Sequence, residues 1–349
     1  MSLPAAAESA ALAIGRLDQA LNHHPLRKAW NHRSRLAAAV QASAWDGRAV
    51  DLQRLAGMVA GVPHPPHADL LSEHRALMFL DYLARCGGET ETYLEDLWPE
   101  DHDPLDEDRQ IILDAVNASH APSTLLTIAE IVWAIRQEHD AAPGILHAAI
   151  PNLLAQRGLT QSGFIAGLAA FPARQSHSDW MTAFLQGMTK AAETGLARLH
   201  GLSLTYDDWR NRIGKRQKNS RLPQVVVMAL CQPCLSPIAV QRLLGMQWVK
   251  DGRKPRISLP GASKLLDELT ALGILVEGTN RRGSHRVFVA ADLGIGTRAP
   301  SNPIHPRSIE RIFEGQALDE LLDGIDAAIH RSNALLVRHG IRQVKPEAC

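Results

Sequence analysis

Cysteine is scarce in this chain. The four present, Cys86, Cys231, Cys234 and Cys349, are too few and too scattered for a disulfide framework. Aromatic residues make up only 5%. No run of about eighteen or more apolar residues occurs, which argues against a membrane-spanning helix. The first residues lack a basic-then-apolar leader pattern, so the expected location is the cytoplasm. Alternating strand patterns are missing from Ala5 to about Thr205, and no repeat of solenoid length appears. There is no P-loop, no dinucleotide fingerprint and no Ser-His-Asp order. We therefore expect no cofactor, no metal and no catalytic residue.

What is there is a 349-residue chain with 45% hydrophobic residues and formal net charge +0, enough for two or three domains with a sizeable core. Runs such as LAAAVQASAW, LLTIAEIVWAIRQEH and HAAIPNLLAQRG set apolar groups three and four apart, which is helical spacing. Pro- and Gly-containing stretches at 61–70, 102–104, 120–126 and 140–144 punctuate them as helix ends do. The expected fold is mainly α. Residues 1–205 form an all-helical body, and a short basic hinge follows at 206–222. A compact segment covers 223–293, a Pro-rich linker 294–308 and a helical tail 309–349. In that tail Leu318, Leu321, Leu322, Ile325 and Ile329 form an apolar face, suited to packing on the body or on a second copy.

The zero net charge conceals a separation. Between Arg210 and Arg286 stand fifteen Lys or Arg residues against Asp251, Asp267, Glu268 and Glu277. The counterweight is ETETYLEDLWPEDHDPLDED at 89–108, whose charged groups are acidic apart from one His. A basic segment of this size attracts nucleic acid by releasing counterions condensed on the phosphates. The acidic stretch could bind a basic partner or mask the basic segment.

The order of elements within the basic segment sharpens that reading. LPQVVVMALCQP is an apolar helix. Ser236 is placed to cap a second helix, with Pro237 at its first position and its end at Gly245. A spacer with Lys250, Arg253, Lys254 and Arg256 follows, either a further backbone contact or an insertion. A third helix over 258–272 is closed by Gly273, with Leu265, Leu266, Leu269 and Leu272 toward the core. Then ILVEGTNRRGSHRVFVA makes a hairpin, Val287 and Val289 alternating with Arg286 and Phe288. Three helices and a basic hairpin are the order of a winged helix-turn-helix, whose last helix enters the major groove while the wing touches the backbone. The expected partner is double-stranded DNA. Ser258, Ser263 and Lys264 would read bases, while Arg281, Arg282, His285 and Arg286 would hold phosphate. A homodimer is compatible with this reading.

The segment LLDELTALGILVEGTNRRGSHRVFVA resembles the winged helix that ends many Fic-family proteins (filamentation induced by cAMP). Upstream, the stretch from Leu153 to Glu193, with its Trp180, Phe184 and Leu185 spacing, is similar to the segment after the catalytic loop of those proteins. AVQASAWDG at 39–47 sits where they carry an inhibitory S-S-x-x-E-G helix. The chain resembles still more closely a group of plasmid-borne bacterial proteins with a C-terminal helix-turn-helix. The Fic likeness implies AMP transfer through H-P-F-x-x-G-N-G-R, but DAAPGILHAAIPNLLAQRG has neither H-P-F nor G-N-G, only His147 and Arg157 in that region. Asp46 and Ala42 replace the Glu and first Ser of the inhibitory pattern. Without the glycine turn the backbone cannot approach a pyrophosphate, so a Fic-like body without the chemistry is expected. A divergent nucleotide transferase and a protein-interaction module are the other two functional readings.

Other motifs carry less. CQPC at 231–234 is a lone C-x-x-C, read as two core thiols. His64, His67 and His74 have loose spacing around a Pro-rich loop, and His23 and His24 precede Pro25 at a helix break. The leading expectation is a sequence-specific DNA-binding protein, a transcriptional regulator whose helical body dimerises or senses a partner.

Overall fold

The computed structural model describes residues 1–61, 70–84, 124–138, 143–156, 158–161, 176–217, 220–250, 257–278 and 286–293. Of these, 77% are helical, so the mainly α class is correct. The helices are α1 (Leu3–Leu21), α2 (Arg27–Trp45), α3 (Leu52–Val59), α4 (Leu70–Ala84), α5 (Thr124–Glu138), α6 (Pro143–Gln156), α7 (His177–Ile213), α8 (Leu222–Cys231), α9 (Pro237–Lys250) and α10 (Leu259–Ala271). Three short strands, β1 (Cys234–Leu235), β2 (Leu275–Gly278) and β3 (Val287–Ala290), complete the chain with a 3-10 turn at Ala291–Leu293. Among the described residues no helix is long and apolar enough to cross a membrane.

The frame is α7. It packs along α1, whose Ala6, Ala10, Ile14, Leu17 and Leu21 recur three and four apart and are buried. Small side chains on α1 let the two helices approach closely. Trp180, Met181, Phe184, Leu185 and Met188 line the buried face of α7, with Trp180 and Phe184 stacked at 5.1 Å. The Trp30 indole of α2 donates to the Gly195 carbonyl at 2.9 Å, so the buried Trp N–H is satisfied.

Two sequence boundaries are corrected. The basic hinge expected at 206–222 is helical as far as Ile213, because Tyr206, Trp209 and Ile213 continue the buried stripe of α7. The helix ends at Gly214 (φ 65°). The second helix of the basic segment does not stop at Gly245 but continues to Lys250, so half of the expected spacer is helix.

The capping expectations hold. Ser236 Oγ accepts the Ala239 N–H at 3.1 Å, and Pro237 opens α9. After α10, Gly273 takes φ 68°; its N–H reaches the Thr270 carbonyl and the Ile274 N–H reaches that of Leu269. The hairpin forms with Val276 opposite Val289 and Gly278 opposite Val287. In β3, Phe288 and Ala290 are fully buried and Val289 only partly, and a third strand pairs with the far edge of β3. That strand, β1, pairs Leu235 with Phe288 and gives the order β1-β3-β2. The break at His23–His24 separates α1 from α2 as expected. The acidic stretch 89–108, the linker 294–308 and the tail 309–349 lie outside the described residues.

Candidate nucleic-acid interface

The third helix of the basic segment is α10, and Ser258 is its N-cap. Its hydroxyl accepts the Gly261 N–H at 3.2 Å, so that oxygen already has a structural partner. Ala262, Leu266 and Leu269 are buried, with Leu265 and Leu272 partly so. The opposite face exposes Leu259, Pro260, Lys264 and Asp267, with Ser263 half-buried beside them. Gln241 of α9 donates to the Ile257 carbonyl at 3.1 Å and fixes the approach to this helix.

The candidate contacts divide into three groups. Ser258, Ser263 and Lys264 lie together on the first turns of α10. Arg253, Lys254, Arg256, Arg281, Arg282 and His285 lie outside the described residues, and of Lys250 the structure gives only its place at the end of α9. Arg286 stands at the root of the hairpin rather than at its tip. Its Nε donates to Glu277 Oε1 at 2.7 Å, and its Nη2 donates to Glu277 Oε2 at 2.9 Å and Asp267 Oδ1 at 2.6 Å. The guanidinium also stands 4.8 Å from the Phe288 ring centre. The hydrogen bond from Arg286 holds the Glu277 carboxyl below its usual range, and its bonds to both carboxylates raise the Arg286 guanidinium further.

That arrangement revises the expected role of the segment's charge. Arg286 balances two carboxylates rather than standing as a free cation of the wing. Two more arginines serve α10 from behind. Arg216 pairs with Glu268 at 3.0 Å. Arg212 pairs with Asp208 and donates to the Leu272 and Gly273 carbonyls at 3.4 and 3.1 Å, the C-terminal end of α10 where acceptors are otherwise unmet. The acidic groups of α10 are thus neutralised within the fold. Lys264 on α10 and Arg242 on α9 remain exposed.

A second arginine clamp had no signal in the sequence. Arg33 of α2 donates to the Leu230 and Ala229 carbonyls of α8 at 2.5 and 3.1 Å and pairs with Asp292, just beyond β3. It closes the C-terminal end of α8 and ties the hairpin to the helical body. Ser236 adds a bond to the Ala60 carbonyl at 2.9 Å, and Cys234 one from its thiol to the Gln53 carbonyl at 3.5 Å. The Cys231 and Cys234 thiols are both buried and neither forms a disulfide, and burial pushes Cys234 up to about 12. Among the described residues no cluster of His, Cys, Asp and Glu could hold a metal ion. His74 belongs to α4, while His64 and His67 are not described.

At the other end of the body, the Asp46 carboxylate accepts the Gly144 N–H at 3.0 Å and pairs with Arg75 at 2.7 Å. An acid at the first turn of α6 is favoured by the exposed N–H groups and dipole there. A Cβ on Gly144 would collide with the Ala42 carbonyl and the Asp46 carboxylate, so only glycine lets the end of α2 seat on α6. His147, one turn on, is 1% exposed and packs edge-on against Trp45 at 4.7 Å. Its ring nitrogens have no hydrogen-bond partner among the described residues, and burial lowers it to about 4.

Comparison with known families and with curated proteins finds no family model and no curated protein that matches this chain.

Proposed function

We propose that this protein binds double-stranded DNA through a winged-helix arrangement, as a sequence-specific regulator of transcription. The observation that carries the reading is the element order α8-β1-α9-α10-β2-β3, with sheet order β1-β3-β2, in the most cationic part of the chain. In this reading α10 enters the major groove with Ser263, Lys264 and the exposed Leu259 at its leading turns, where an apolar side chain suits a thymine methyl. Ser258 contributes by capping that helix. The wing between β2 and β3 brings Arg281 and Arg282 to phosphate. Arg212, Arg216 and Arg286 act indirectly. Arg216 and Arg286 offset the negative charge of Asp267, Glu268 and Glu277 on a surface that must approach a polyanion, and Arg212 holds the C-terminal end of α10.

The burial of His147 and the seating of Asp46 on Gly144 support a packing role for both residues. Selection of bound fragments from a random DNA pool with the full chain tests the proposal. A recovered motif supports it, and a palindromic one adds a two-fold dimer. Substitution of Ser263 or Lys264 should alter the selected sequence, with each lost base contact worth about 1–3 kcal/mol. Recovery of no enriched sequence would contradict base reading.

A further inference from the structure

A cleft of about 640 Å³ opens along the seam between the helical body and the C-terminal elements. That volume is in the ordinary range for small-molecule sites. It lies between the two arginine clamps: Arg33 with Asp292 borders one side, and Arg212 with Asp208 the other. Each of those pairs is neutral. A third cation, Arg198 of α7, also lines the cleft, and among the described residues it has neither a hydrogen bond nor an ion pair. Among the described lining residues the cleft therefore presents one unbalanced positive charge beside apolar surface from Leu52 and Leu204.

Gly201 lies inside the 37-residue α7 and lines the cleft. A Cβ built there would meet nothing within 4 Å, so no packing contact requires glycine. Glycine inside a helix costs about 1 kcal/mol relative to alanine. Gly201 is exposed on the cleft wall, which leaves room there for a bulkier side chain to occupy the cleft.

We propose that this cleft binds a small amphipathic monoanion, a carboxylate or sulfonate on an apolar body, with the anionic group on Arg198 and the apolar part against Leu52 and Leu204. The occupant touches α2, α7 and the turn after β3 together, so it stabilises the seam that orients the C-terminal elements. The inference stands apart from DNA binding and is tested without nucleic acid.

The probe is 1-anilinonaphthalene-8-sulfonate, titrated into the folded full chain and followed by fluorescence. Its neutral counterpart N-phenyl-1-naphthylamine is titrated in parallel. Two variants are compared with the parent, Arg198→Gln and Gly201→Leu, each required to keep the parent's circular dichroism. The expected result is saturable binding of the sulfonate, weakened about tenfold or more in Arg198→Gln by loss of a charge-assisted bond. The neutral amine should bind that variant as it binds the parent. Gly201→Leu should weaken both compounds by filling the cleft. Sulfonate binding that is unsaturable or equal in all three proteins would mean an adventitious additive only and would overturn the site. Loss in Gly201→Leu with none in Arg198→Gln would overturn the anion assignment.

Discussion

The guanidinium of Arg286 reaches three carboxylate oxygens on two elements, Glu277 on β2 and Asp267 on α10, from a position about half exposed. Solvent screens such a network, so Arg286→Ala should lower stability by only about 1 kcal/mol or less in a denaturant titration. Its larger effect belongs to recognition, since two carboxylates become unpaired beside α10. The same variant should weaken DNA binding for all sequences alike, read by fluorescence anisotropy. The Glu277 carboxyl is held low by Arg286, so its contribution is present above the usual carboxylate range. It disappears only as pH falls through the depressed value. Buried histidines give a second pH dependence. His147 is lowered from 6.5 to about 4 and His32 to about 3, both chiefly by burial, with Arg35 and Arg33 adding to the effect on His32. Below 6.5 the unfolded chain takes up protons that the folded chain refuses. Stability is therefore full above about 6.5 and falls on acidification down to about 4 for His147 and about 3 for His32, by a few kcal/mol for each ring. Denaturant titrations across that window should show the slope, and His147→Phe should remove its share. An unchanged slope in the variant would contradict the burial of a neutral ring.

At the scale of elements, helix ends do much of the organising. Asp46 closes the start of α6, Arg33 the end of α8, and Arg212 the end of α10. Gly144→Ala should destabilise the chain by about 1–3 kcal/mol, because the new methyl meets the Ala42 carbonyl and the Asp46 carboxylate. A thermal melt equal to the parent's would refute that seating. The caps were legible in the sequence where they are local, as with Ser236, Pro237 and Gly273. They were hidden where the partner is remote, since no spacing links Arg33 to Asp292. The continuation of α7 through the basic stretch was present as the Tyr206, Trp209, Ile213 periodicity, but the surrounding charge masked it. Strand β1 has two residues, too short for any periodicity. The pairing of Arg286 with Glu277 was readable in principle, as opposite charges across a hairpin.

At the scale of the whole molecule, the separation of charge is partly internal. Several cations counted between Arg210 and Arg286 neutralise the carboxylates and helix ends of their own neighbourhood. Among the described residues, Lys215, Lys264 and Arg242 remain for a polyanion, and the sequence adds the cations of the wing and of the segment before α10. A long-range field alone would give binding without register; a capped helix with an exposed leading turn adds a surface able to read sequence. The body is tied to this surface by Arg33 and by the unbroken α7, so a change in the body has a rigid route to the hairpin and to α10.

The most direct test of DNA recognition through this arrangement is the affinity of the full chain for a duplex, measured over a series of salt concentrations, with and without charge reversal at Arg281 and Arg282. The parent should bind, with affinity falling steeply as salt rises. The Arg281→Glu, Arg282→Glu double variant should bind more weakly at every salt concentration, with a slope shallower by about two phosphate contacts. A parent that fails to bind DNA at low salt, or a double variant with unchanged affinity and slope, would contradict the account.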